Sequence, residues 1–307
     1  MSNVTTILGQ DHGYMYFKDS NKHIFNAAYS RINNTLSNKY EIIIDNEVYY
    51  FNGDMFTADK DKIESEHNKV ATLYDCAINN IDECFLVVGL PISQYNNKKD
   101  KLIQTIMNYN NCNIVYQNKE FKPNIKDVTV FAQGVGAIYN IGLEDGLYIS
   151  FDIGSYTINV VMVEIKKGIP YIKKYDTWFD GILKLFMLIR EKVLVLCDYE
   201  LSNKEIEDIF KTGKFILYGE MKDVKIFKSI LRDYLENIFT KFKPNYPYAT
   251  TPILLSGGGS ILLGQFFIKC FPNSLVLPNP QFANAIGYYK FGLQKYEQYL
   301  EGVYQYA

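Results

Sequence analysis

A turn that occurs twice constrains this chain more than any other feature. Leu147 to Val163, LYISFDIGSYTINVVMV, reads as two β-strands, Leu147–Phe151 and Thr157–Val163, folded about a tight Asp-Ile-Gly-Ser turn. Both arms are rich in the β-branched and aromatic residues that suit a pleated, packed surface. Near the start, the apolar run Val4–Leu8 leads into Gly9-Gln10-Asp11-His12-Gly13-Tyr14, then Met15-Tyr16-Phe17 and Lys18. One strand, Asp-x-Gly, strand unit is an ordinary hairpin. Two of them predict two related halves, each presenting a loop to a common cleft. In each loop a glycine, Gly13 or Gly154, permits the backbone angles that bring successive N–H groups onto one point, a cradle for phosphate. The acid beside it, Asp11 or Asp152, can hold a hydrated magnesium ion. Lys18 is either a phosphate contact or a solvated lysine at a hairpin edge.

Two halves need two cores, and 307 residues of which 48% are hydrophobic supply them. A net charge of -2 gives no bulk electrostatic case for nucleic acid or an anionic membrane. The five cysteines contain no C-x-x-C pair and leave an odd one, which fits reduced thiols in a cytoplasm. The three histidines are too scattered to suggest a metal site. The N-terminus lacks the basic and apolar regions of a leader, and no apolar run approaches the ~20 residues of a membrane helix.

In the first half, Tyr40–Phe51 reads as a hairpin about Asp45-Asn46-Glu47, followed by a polar segment and a helix through Ala71–Ile81. Phe85–Pro91 is a continuous apolar run of buried-strand type, and Leu102, Ile103, Ile106 and Met107 fall at helical spacing behind it. Val128–Phe131 gives a short strand, with Gln133 at its junction with a helix whose glycines permit close backbone approach. In the second half the strands finish at Ile172, and a helix runs from Ile182 to about Leu196. Ser202-Asn-Lys-Glu205 matches a capping box before a helix with Ile206, Ile209 and Phe210 on one face, stopped at Gly213. A longer helix spans Val224–Phe242. Pro252–Ser256 is a strand, and the triplet Gly257-Gly258-Gly259 behind it lets a flat ring or a phosphate lie against backbone at a helix start. A short strand at Leu275–Leu277 and a helix opened by Phe282–Gly287 complete the chain.

With the two Asp-Gly turns, the Gln133 junction and the glycine triplet in that order, the chain resembles the actin, Hsp70 and sugar-kinase superfamily over nearly its whole length. Val87–Tyr95, Gly134–Tyr139, Thr212–Gly219 and Ala283–Tyr288 resemble the ParM-type bacterial actins that segregate plasmids. The resemblance implies a two-domain α/β fold, each domain built on a ribonuclease-H-like mixed sheet flanked by helices, with nucleotide in the interdomain cleft. Domain I would be residues 1–146, with an insertion at about 22–84. Domain II would be 147–282, with an insertion at about 197–250, and the helix 283–307 would return to domain I.

The same resemblance implies ATP, or GTP, with Mg2+. Asp11 would lie near the metal with Gly13 and Tyr14 in the first phosphate loop and Lys18 on phosphate. Asp152 would lie near the metal from the other side, with Gly154, Ser155 and Thr157 in the second loop. Gly257, Gly258 and Gly259 would lie under base and ribose, and Gln133 would position the attacking water. Because Gln133 is no strong base, hydrolysis is expected to be slow. Nucleotide-favoured closure, repeated head to tail, would build a filament that loosens after hydrolysis. A DNA-bound ParR-like adaptor would capture its ends, with no direct nucleic-acid or membrane contact.

Tyr14 and Met15 depart from the small residues such a first loop often carries, and Asn159 stands where many relatives have an acid. Two other functions share the fold. A sugar or acid kinase would want a carboxylate base on the acceptor hydroxyl where this chain has Gln133, and a nucleotide-bound scaffold would assemble partners without hydrolysis.

Overall fold

The computed structural model describes residues 5–33, 40–51, 63–142 and 144–305, with the backbone alone at 226 and 298–305. Val4 and the polar segment 52–62 lie outside the described residues. The chain divides into two compact units, Met1–Glu144 with Phe282–Ala307, and Asp145–Gln281.

Unit 1 contains β1 (Thr6–His12), β2 (Tyr16–Asp19), β3 (Ile24–Asn26), β4 (Glu41–Ile44), β5 (Glu47–Tyr50) and α1 (Glu66–Ile78). After these come β6 (Glu83–Leu90), α2 (Ile92–Met107), β7 (Ile114–Tyr116), β8 (Lys119–Phe121), β9 (Asn124–Ala132) and α3 (Val135–Asn140). Its main sheet has the order β3-β2-β1-β6-β9, antiparallel on one side of β1 and parallel on the other. The sheet is covered on both faces, which explains the unbroken apolar run of β6. Leu86 and Val88 join Leu8 and the α1 residues Val70, Leu73 and Ala77 on one side. Phe85 and Val87 join Ile7, Tyr288 and Tyr296 on the other.

Ser65 caps α1, its Oγ accepting from the Asn68 N–H at 3.2 Å. The hairpin at Asp45-Asn46 turns on two residues with positive φ, 52° and 71°, as a two-residue connection demands. It belongs to a separate sheet, β5-β4-β7-β8, completed by a second hairpin from residues 114–121. Neither strand of that second hairpin is evident in the sequence, because each is only three residues long.

Unit 2 contains β10 (Gly146–Ile153), β11 (Ile158–Lys166), β12 (Ile169–Trp178), α4 (Ile182–Cys197), α5 (Asn203–Thr212), β13 (Phe215–Leu217) and β14 (Glu220–Lys222). α6 (Lys225–Phe242), β15 (Ile253–Ser256), α7 (Gly259–Cys270) and β16 (Ser274–Val276) follow, and α8 (Ala283–Gln305) returns the chain to unit 1. The order β12-β11-β10-β15-β16 reproduces the unit 1 arrangement strand for strand, with the same antiparallel and parallel sides. Phe151, Phe186, Phe242, Phe267 and Phe271 centre its core. The capping box is present, Ser202 and Glu205 each accepting from the other's backbone N–H, and Gly213 closes α5 at φ 67°.

These are the two mixed sheets flanked by helices that the sequence leads one to expect. Several boundaries differ: α1 ends at Ile78 rather than Ile81, and the strand expected at Val128–Phe131 is the nine-residue β9, which pairs with β6 along its length. β1 runs past Leu8 to His12 and β10 past Phe151 to Ile153, so both aspartates are strand residues with the turn beyond them. The cause is the antiparallel ladder, which continues through Asp11↔Lys18 and Asp152↔Asn159 irrespective of polarity. The third strand of unit 2 starts at Ile169 and extends to Trp178 rather than ending at Ile172, since β11 offers it a partner throughout. Among the described residues no helix is long and apolar enough to cross a membrane.

Candidate functional site

Each unit carries the same turn at the end of its central strand. In unit 1, Asp11 is followed by Gly13, where an added Cβ would overlap the Tyr16 carbonyl oxygen. In unit 2, Asp152 is followed by Gly154, where a Cβ would stand 2.9 Å from the Thr157 carbonyl oxygen, the acceptor of the Gly154 N–H at 2.9 Å. Acid, glycine and crowding carbonyl hold the same spacing in both, so a side chain at either glycine would push the turn open.

Cross-strand partners then distinguish the two turns. Opposite Asp11 stands Lys18, whose Nζ lies 3.1 Å from Asp11 Oδ2 with both side chains largely buried. Lys18 is therefore not a solvated edge lysine, and the ideal Cβ position of Gly13 is 3.5 Å from its ammonium. Opposite Asp152 stands Asn159, buried, its Oδ1 accepting from the Thr177 hydroxyl at 2.9 Å. The cation is confined to the first turn.

Gly154, Ser155 and Tyr156 lend their carbonyls to the N–H groups of Ile182, Leu183 and Gly181, at 3.0, 3.0 and 3.1 Å. The start of α4 thus clamps the second turn, and Gly181 lies against Ser155 and Tyr156 too closely for any Cβ. Just before it, the buried Asp180 carboxylate takes Lys184 and Lys241 as ion-pair partners and Asn237 at 3.4 Å. Burial pushes that carboxyl upward, but the two ammonium groups outweigh it and hold it below the ordinary carboxylate value. Thr157, the third residue expected at this turn, supplies the crowding carbonyl.

The glycine triplet follows β15, which lies parallel to β10 with Ser256 beside Asp152. Gly257 has φ 82°, and a Cβ there would overlap the Ile153 carbonyl and stand 2.5 Å from Asp152 Oδ1. Gly259 packs on the Ile153 side chain, whereas a Cβ at Gly258 would meet nothing within 4 Å. Gly257 and Gly259 bring the triplet against the second turn, and Gly258 presents open backbone. Next to Asp152, the Ser256 Oγ is buried with no hydrogen-bond partner among the described residues. Carboxylates and a hydroxyl are hard oxygen donors of the kind magnesium takes.

Gln133 follows β9, its N–H donating to Leu90 O at 2.8 Å, and Gly134 turns the chain at φ 82°. Asn284 Oδ1 at the start of α8 accepts from the N–H groups of Gly134 (3.1 Å) and Ala137 (3.2 Å), fixing the junction. Gln133 shares a cavity of about 20 Å³ with His12, Tyr14, Asn68 and Gln94. Unit 1 therefore gathers Gln133 and the first turn around one space.

Several members of this site have no sequence signature. His12 Nε2 lies 3.3 Å from Gln10 Oε1, and Gln10 Nε2 donates to Asp75 Oδ2 at 2.8 Å. Asp75 is fully buried beside Asp19, which accepts from the His23 N–H (2.7 Å) and the Asn79 side chain (2.7 Å). Burial, reinforced by Asp19, pushes the Asp75 carboxyl well above the ordinary carboxylate value. Asp19, Asp75 and His23 are close enough to share an ion, but their oxygens already accept from His23, Asn79 and Gln10. Hydrogen bonds from protein donors satisfy the two buried acids.

Residues 9–136 match the model of the N-terminal domain of actin-like proteins. No curated protein matches in sequence. Among solved structures, a 15-stranded ParM filament from Clostridium botulinum superposes with a TM-score of 0.76 at 21% identity, covering 94% of this chain and 99% of that one. The actin-like protein Alp7A gives 0.76 at 14% identity, over 98% and 99% of the two chains. An archaeal actin homologue in complex with ADP gives 0.72 at 17% identity, over 94% and 100%.

Proposed function

From a chain with the actin-like fold over nearly its whole length, we propose a nucleotide-dependent, filament-forming ATPase of the ParM type. One observation carries this reading: the same Asp-x-Gly turn ends the central strand of two sheets with the same strand order. A ligand with several phosphates suits two such turns, since each offers backbone donors beside an acid. In this reading Asp11, Gly13, Tyr14 and Lys18 take phosphate and metal from unit 1. Asp152, Gly154, Ser155 and Thr157 do so from unit 2, and Gly257, Gly258 and Gly259 receive base and ribose.

Magnesium, when bound, supplies charge neutralisation on the phosphates. The protein's own part is placement. Lys18, held by Asp11, brings one fixed positive charge, and Gln133 orients water for in-line attack. The ADP complex of the archaeal homologue and the filament of the Clostridium ParM support nucleotide binding and self-assembly. Plasmid segregation through a DNA-bound adaptor in the cytoplasm completes the proposal.

Light scattering and phosphate release followed in one cuvette, with magnesium and ATP, GTP, ADP or no nucleotide, test it. Scattering that rises above a critical protein concentration with a triphosphate and falls as phosphate accumulates is the expected result. Flat scattering, with phosphate released only when a small acceptor is added, assigns the chain to the kinases instead.

A further inference from the structure

The second turn gives its carbonyls to the protein and turns its N–H groups the other way. Gly154, Ser155 and Tyr156 O accept from the N–H groups of Ile182, Leu183 and Gly181 at the start of α4. No peptide bond among the described residues is cis, and a trans peptide sets its N–H opposite its C=O. The N–H groups of Ser155, Tyr156 and Thr157, which share those three peptides, are therefore directed away from α4, as donors that cradle an anion must be. Whatever fixes the start of α4 fixes the direction of these donors.

Side chains of α6 do so. The buried Tyr234 hydroxyl donates to the Asp180 carbonyl oxygen at 2.6 Å. That carbonyl belongs to the same peptide as the Gly181 N–H. One planar unit is thus held by Tyr234 at its oxygen and holds the Tyr156 carbonyl through its nitrogen. Hydrogen bonds in such a series polarise one another. Burial pushes the Tyr234 phenol upward, which keeps it a donor at neutral pH. The Asp180 carboxylate, 2% exposed, adds a second hold through Lys241 and Asn237 of α6 and Lys184 of α4. Four side chains from two helices converge on the residue that precedes the clamp.

We propose that Tyr234 and Asp180 are positioning residues: through the Asp180–Gly181 peptide, α6 aims the backbone donors of the second turn at the phosphates of the bound nucleotide. The proposal rests on the nucleotide reading given above. Both residues act through Gly181, so a displacement of α6 is felt where the phosphates are held.

A second buried tyrosine supplies the control. Tyr246, just beyond α6 and in the same core, directs its hydroxyl to Asp176 Oδ2 at 2.7 Å and Val160 O at 3.3 Å, on β12 and β11 rather than on the clamp. Tyr234→Phe and Tyr246→Phe each remove one buried hydroxyl, so a merely structural role moves both alike.

Amide hydrogen exchange of the unliganded protein, and titration of labelled ADP with magnesium, are measured for wild type and both variants below the melting transition of each. Tyr234→Phe speeds exchange at Gly181 and weakens ADP binding, each by at least about fivefold, the worth of one hydrogen bond, while Tyr246→Phe stays within about twofold of wild type in both. Asp180→Asn, which loosens the same peptide from its side chain, is a second test with the same expected sign. Equal effects of the two tyrosine variants overturn the proposal, as does faster Gly181 exchange with unchanged ADP affinity. A wild type that binds no ADP defeats the functional reading and the proposal together, whereas ADP binding that neither Tyr234→Phe nor Asp180→Asn weakens defeats the proposal alone.

Discussion

Gly287 meets Gly136 where α8 crosses α3, so closely that a Cβ on Gly287 would overlap the Gly136 carbonyl oxygen. The next residue, Tyr288, is fully buried with its ring against Gly89 and Gly136. One crossing thus sets the junction that carries Gln133. Gly287→Ala forces the helices apart, at about 2–3 kcal/mol by analogy with overpacked cores. A urea unfolding midpoint measures it, and a loss under ~0.5 kcal/mol would show that the crossing is not tight.

Gly257 and Gly258 are adjacent in sequence and opposite in constraint. Gly257→Ala meets positive φ, the Ile153 carbonyl and the Asp152 carboxylate at once, and is expected to cost more than ~1 kcal/mol of stability together with nucleotide affinity. Gly258→Ala has room and φ −62°, so stability stays within ~0.5 kcal/mol. If a base lies on that backbone, the same substitution weakens nucleotide binding. Titration of labelled nucleotide beside urea melts separates the two, and unchanged affinity in Gly258→Ala would place the base elsewhere.

Asp75 makes stability fall with rising pH. Its folded value is raised well above the ordinary one, so between the two the native state holds a proton that the unfolded chain has released. In that window wild type loses up to about 1.4 kcal/mol per pH unit as pH rises. Asp75→Asn keeps an oxygen for Gln10 and removes the titration. Urea midpoints measured from pH ~5 upward should converge on a flatter line for the variant; parallel lines would refute the buried proton.

Asp180 acts with the opposite sign. Its folded value is lowered, so its contribution is present above the unfolded value of ~3.9 and is lost as pH falls through the folded value. Asp180→Asn is expected to cost about 2 kcal/mol at neutral pH, less than a wholly buried pair, because Lys184 and Lys241 remain 42% and 40% exposed and can turn to water. The deficit shrinks below pH ~3. Thermal melts over that range decide it, and a deficit independent of pH would assign the loss to packing.

Local chemistry explains what was legible in the residues alone. Alternating β-branched and aromatic residues around Asp11 and Asp152, the Ser202 capping box and the closing Gly213 each act over a few neighbours, so their physics is written in adjacent letters. The duplicated turn predicted two similar sheets for the same reason, and both formed with one strand order. Strand ends were less legible, because a ladder extends as far as its partner does: Trp178 is a strand residue through Ile158, twenty positions earlier in the chain.

The site's depth lies beyond sequence reach. Nothing near His12 announces that Asn68 lines the same cavity, that Gln10 links it to the buried Asp75, or that Asn284 holds the Gln133 junction from 150 positions away. Burial and partnership of polar groups depend on long-range packing, which costs chain entropy to assemble and leaves no periodic trace. The sequence by itself determined the two repeated turns, the acids they carry and the strands that flank them; the tertiary structure alone decided the short and extended strands, which polar atoms are enclosed and which partners satisfy them.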